Sequence, residues 1–110
     1  MGMQNVSDVY AVSFLNSWFQ KNHKLFDRHS VVSEYMDTGN GSALVRLTSA
    51  RYLAEICVWD HASCIDIQIL DVSSEKSTFP HVGECKDRLE LEAELNKFIE
   101  WFEDEARIGN

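Results

Sequence analysis

The stretch Arg51-Tyr52-Leu53-Ala54-Glu55-Ile56-Cys57-Val58-Trp59, followed across Asp60-His61-Ala62-Ser63 by Cys64-Ile65-Asp66-Ile67-Gln68-Ile69-Leu70-Asp71, decides the fold. Successive side chains of a strand point to opposite faces. Tyr52, Ala54, Ile56 and Val58 therefore share one face, and Leu53, Glu55, Cys57 and Trp59 the other. In the second segment Ile65, Ile67 and Ile69 share a face opposite Asp66 and Gln68. The alternation predicts antiparallel strands with one packed side and one partly wet side.

Upstream, Val31-Val32-Ser33-Glu34-Tyr35-Met36 suits another strand. Gly39-Asn40-Gly41 marks a hairpin turn, because these residues accept positive φ at little cost. Ala43 to Thr48 alternates and can pair back across that turn, and residues 43–59 fit either one bent strand or two. Val72 to Glu84 reads as a loop, rich in Ser, Lys and Glu and holding the one proline, Pro80.

Helical periodicity flanks this region. Over residues 7–26, Tyr10, Ala11, Phe14, Leu15, Trp18 and Leu25 fall on one side, with Phe19 and Phe26 beside the stripe. Ser7 suits the N-cap, where a hydroxyl accepts from an unpaired N–H of the first turn. Asp87-Arg88-Leu89-Glu90 fits a capping box for a second helix running to about Glu105, with Gly109 just past its end. Leu91, Leu95, Phe98 and Phe102 form its apolar stripe. The expected architecture is α+β: an N-terminal helix, an antiparallel β-meander of three to four strands and a C-terminal helix, both helices packed on one sheet face. A length of 110 residues suits a single domain spanning 1–110.

Composition is that of a globular chain, 45% hydrophobic and 25% charged. No apolar run is long enough to span a bilayer, and residues 1–10 lack the pattern of a secretory signal, so a cytoplasmic, non-membrane protein is expected. Met1-Gly2 is followed by Val6 where a myristoylation start needs a hydroxyl. Cys57, Cys64 and Cys85 are odd in number and show no CxxC spacing, which argues for reduced thiols over a disulfide framework or a zinc site.

Catalytic patterns are sparse. His23, His29, His61 and His81 show no HExxH or HxH spacing. Asp60, His61 and Ser63 are the residue types of a hydrolase triad, but chain neighbours cannot orient one another as a triad requires, and a turn uses the same residues. Glu55 and Asp66 are candidate cross-strand neighbours on the wet face, an arrangement that serves acid–base chemistry or recognition of a basic partner. No enzyme activity, cofactor or metal is expected.

Net charge is −8, from 18 acids against 10 bases. Residues 84–105 hold nine acids and three bases, so most of the excess lies near the C-terminus. Such a surface repels phosphate backbones, which excludes direct nucleic-acid binding, and it speeds capture of a basic protein. Solubility alone would also account for it. Trp59 among acids fits an interface anchor or a core position equally well. The candidate partner-binding residues are Glu55, Trp59, Asp60, His61, Asp66 and Gln68 around the wet face, with Glu90 and Glu94 on the acidic helix.

The strand R-Y-x-A-E-I-x-V-W over residues 51–59, a short turn, D-I-x-I-L-D over 66–71, a Ser/Glu-rich turn and a long acidic C-terminal helix together resemble the TriTu-type bacterial immunity family. The resemblance covers roughly residues 43–103. Family members often carry glycine in the turn after the tryptophan, where this chain has His61-Ala62-Ser63. The resemblance implies an antidote to a contact-dependent growth-inhibition toxin. The implied partner is the toxin's C-terminal nuclease domain, a tRNA-cleaving enzyme acting together with elongation factor Tu. Apart from it, the residues also suit a small acidic adaptor with no toxin partner.

Overall fold

The structure is a computed structural model and describes residues 10–60, 64–77 and 88–108. Helix α1 (Ala11–Arg28) leads into strands β1 (Val32–Asp37), β2 (Ser42–Thr48), β3 (Tyr52–Trp59), β4 (Cys64–Asp71) and β5 (Lys76–Ser77), and helix α2 (Arg88–Ile108) follows. The strands form one antiparallel sheet in chain order. This is the expected α+β arrangement, with both helices on one face.

Each hairpin has a local cause. Gly39 and Gly41 sit at φ +85° and +87°, where a Cβ would be strained, and the Gly39 N–H donates to Asp37 Oδ1 at 2.8 Å. Ser49 decides between one bent strand and two. Its Oγ accepts from the N–H groups of Arg51 and Tyr52 at 3.1 Å each, and its own N–H donates to the Tyr52 carbonyl. That turn ends β2 and starts β3.

After β4, Asp71 organises the next reversal. Its Oδ1 accepts from the Ser73 hydroxyl at 2.8 Å and from the N–H groups of Ser73 and Ser74. These bonds, the Ser73 hydroxyl first, hold the Asp71 carboxyl below the usual carboxylate range. The chain returns so that Ser77 and Lys76 pair with Leu70 and Asp71. The segment expected as a loop over Val72 to Glu84 thus contains, after the turn at 72–75, a two-residue strand too short to show any period in the sequence.

The packed sheet face is the predicted one: Tyr52, Ala54, Ile56 and Val58 of β3 and Ile65, Ile67 and Ile69 of β4 are buried, joined by Ala43, Val45 and Leu47 of β2. Leu91, Leu95, Phe98 and Phe102 of α2 and Ala11, Leu15 and Trp18 of α1 complete the core. Aromatic rings knit the helices together. Phe26 meets Phe102 edge-on at 5.0 Å between centroids, and Trp18 meets Phe98 at 6.2 Å. Phe26, expected beside the stripe where it could widen the buried face, is fully buried, and Leu25 of the stripe is half-buried against the core. One expectation for α1 needs correction. Tyr10, placed in the stripe, is 66% exposed, because it precedes the helix in a left-handed conformation at φ 52°.

The start of α1 is held from elsewhere in the chain. Tyr10 offers no side-chain cap, and the Val12 N–H donates to Asp60 Oδ1 at 2.9 Å. The caps expected from Ser7 and Asp87 and the glycine stop at Gly109 lie outside the described residues.

Candidate functional site

With both helices on one side, the sheet's other side is open among the described residues. Register converts the strand patterns into rows across this face. Glu34, Arg46, Glu55 and Gln68 make the central row. Met36, Leu44, Cys57 and Asp66 make the next, with Trp59 between Ser42 and Cys64 beyond it. On the other flank lie Val32, Thr48, Leu53 and Leu70. Val32, Met36, Leu53, Trp59 and Leu70 are all exposed large hydrophobics. The face is therefore a polar, ionic centre between apolar flanks, a composition suited to recognition by a macromolecule.

Arg46 is the residue that sequence reasoning missed. Its Nη2 donates to Glu55 Oε2 at 2.9 Å and its Nε to the same oxygen at 3.3 Å. This pair holds the guanidinium pKa above its usual value, with Glu34 adding to the field. Glu55 thus has its Oε2 engaged by Arg46, and it stands opposite Gln68, while Asp66 stands opposite Cys57. Glu55 and Asp66 share the face on neighbouring strands but are offset by one row. Alternation from Ala43 to Thr48 put Arg46 on this side. The missing information was the Ser49 turn, which sets Arg46 against Glu55.

The remaining groups are chemically quiet. Gln68 Nε2 donates to Asp66 Oδ2 at 3.3 Å. Burial, together with the charges of Glu55 and Asp66, pushes the Cys57 thiol up to about 11, so it is protonated and a weak nucleophile at neutral pH. A cleft of about 490 Å³ between α1 and α2 is lined by Phe14, Trp18, Lys21, Arg88, Glu92 and Asn96, among others, with no histidine or cysteine among its described lining residues. Among the described residues no group of His, Cys, Asp or Glu is arranged to hold a metal. No helix there is long and apolar enough to cross a membrane.

The structure gathers four of the candidate partner-binding residues, Glu55, Trp59, Asp66 and Gln68, on the open face. Trp59 is 38% exposed there, and so belongs to the surface and not to the core. Asp60 adjoins them but turns its carboxylate to α1. Glu90 and Glu94 lie on α2, in the layer behind the sheet, where Lys97 Nζ pairs with Glu94 at 3.3 Å. His61 lies outside the described residues.

A helix, an antiparallel meander with one face open among the described residues and an acidic C-terminal helix make this a small α+β domain. The family described as immunity protein TriTu matches residues 13–101, and the chain belongs to that family. The match reaches from α1 through most of α2, further than the strand motifs alone suggested. No curated protein and no solved structure matches the sequence.

Proposed function

We propose that this chain neutralises one cognate toxin by tight one-to-one binding that covers the toxin's active site or its access to RNA. The toxin is a tRNA-cleaving nuclease domain of a contact-dependent growth-inhibition system, working with elongation factor Tu, and the antidote meets it in the cytoplasm. The observation that carries this reading is membership of the immunity family over residues 13–101. Charge supports it. A nuclease is basic where it holds RNA, and a chain of net charge −8 is drawn to such a surface. The contact surface is the open sheet face around Glu55, Trp59, Asp66 and Gln68, with Asp60 at its end, and His61 is a further contact. Glu90 and Glu94 steer the approach from the helix side. The role is stoichiometric inhibition, not catalysis.

The test starts from the gene neighbourhood, where a toxin C-terminal domain is expected immediately upstream, and uses that domain. Calorimetry is expected to give a one-to-one complex, and the antidote is expected to abolish tRNA cleavage at equimolar concentration. Absence of a complex at micromolar concentration would remove the reading.

A further inference from the structure

Strand β1 ends the sheet on one side, and no described strand pairs with its outer edge. The Thr38 N–H donates to the Ser42 carbonyl at 3.1 Å, in register with the β1–β2 ladder. Hydrogen-bonded and non-bonded positions alternate along an antiparallel pair. Val32, Glu34 and Met36 therefore direct their backbone groups to β2, and Ser33, Tyr35 and Asp37 direct theirs outward. The edge offers three N–H and three C=O groups in a row.

Proteins commonly blunt such an edge with lysine, proline or a bulge, or by keeping it very short. The sequence of β1, Val-Ser-Glu-Tyr-Met-Asp, contains no lysine and no proline, and its pairing with β2 is continuous over all six residues. The opposite side ends in the two-residue β5. Val32 and Met36, 60% and 47% exposed, stand on either side of Glu34 on the open face. Glu34 makes no ion pair among the described residues, since Arg46 is engaged by Glu55.

We propose that the outer edge of β1 is a docking strand, to which the cognate toxin adds an extended segment as a further strand of the sheet. The segment carries a lysine or arginine opposite Glu34 and apolar side chains opposite Val32 and Met36. Main-chain hydrogen bonds to Ser33, Tyr35 and Asp37 supply affinity, and the side chains facing Val32, Glu34 and Met36 supply selectivity. The added strand continues the open face, so the toxin reaches Arg46 and Glu55 from its edge. A second copy of this chain is the poorer occupant, because it brings another −8 of charge and no cation on β1.

This inference rests on the toxin being the partner, and the experiment separates the two. Ser33→Pro removes an outward N–H and no internal hydrogen bond, and proline is tolerated on an edge strand in that position. Binding of the cognate toxin domain is expected to weaken about tenfold or more, the scale of losing one or two main-chain hydrogen bonds, with the thermal midpoint of the free protein nearly unchanged. Glu34→Lys is expected to weaken it further by opposing the toxin's cation. Hydrogen exchange on the wild-type complex is expected to show new protection at Ser33, Tyr35 and Asp37, and this readout decides if Ser33→Pro fails to fold. A wild-type complex with no protection on β1, or unaltered affinity in folded Ser33→Pro, overturns the docking strand while leaving the toxin reading in place. A stable dimer of the free chain with β1 protected also overturns it. Failure of the wild-type chain to bind the toxin removes both.

Discussion

Asp60 Oδ1 accepts the Val12 N–H at 2.9 Å, joining the end of β3 to the first turn of α1 across 48 positions of sequence. A helix start leaves several N–H groups without intrahelical partners. Here one of them is satisfied by a side chain of the sheet, and the Asp60 N–H is itself anchored on the Gly41 carbonyl at 2.8 Å. The cap therefore fixes where α1 sits relative to the β1–β2 and β3–β4 ends. Asp60→Ala is expected to lower stability by about 1 kcal/mol, in the range of a lost N-cap. Asp60→Asn keeps an acceptor and should recover most of it. Thermal and urea unfolding of the two variants checks this. A fall in toxin affinity for Asp60→Asn at unchanged stability would assign Asp60 a contact as well as a cap.

Trp59 tests the open face. It is part-exposed and belongs to no buried cluster, so truncation should spare the fold. As an interface anchor, Trp59→Ala is expected to weaken toxin binding by about 2 kcal/mol or more. Calorimetry with a parallel melting curve separates the outcomes, and loss of folding would return Trp59 to a structural role.

Arg46 opposes the acidic character of the face. Its pair with Glu55 is exposed, and exposed ion pairs contribute little to stability. Arg46→Ala is expected to leave the melting temperature close to wild type while making the face more negative. Stopped-flow association with a basic toxin should then be faster, and both proteins should associate more slowly as salt rises. A rate indifferent to Arg46 and to salt would remove electrostatic steering.

Alkaline pH should destabilise the fold, most of all through Cys57 and Tyr52. Burial pushes the Cys57 thiol from 9.0 to about 11, with help from Glu55 and Asp66. Burial likewise pushes Tyr52 from 10.0 to about 12, with help from Glu105. Between the unfolded and folded values, the folded state keeps a proton that the unfolded chain has lost, so stability falls as pH rises. The decline is expected from about pH 9 to 11 for Cys57 and from 10 to 12 for Tyr52. Cys57→Ala should flatten the first part and Tyr52→Phe the second, in urea unfolding followed across that range. Iodoacetamide should label Cys57 slowly at pH 7.

The sequence by itself determined the faces. Period-two alternation in β3 and β4 named the buried isoleucines and the open-face residues Glu55, Trp59, Asp66 and Gln68. The stripe Leu91, Leu95, Phe98 and Phe102 was legible in α2 because burial repeats at the helical period. The family was legible too, since its strand motifs lie in one continuous stretch. Tertiary structure alone decided what depends on register and on contacts distant in the chain. The Ser49 turn sets Arg46 against Glu55, and a one-residue slip would have turned β2 over. Phe26 became central because α2 brings Phe102 to it. Asp60 became a helix cap, Glu90 and Glu94 fell behind the sheet, and β1 became an edge, because these relations exist only once separate elements have packed.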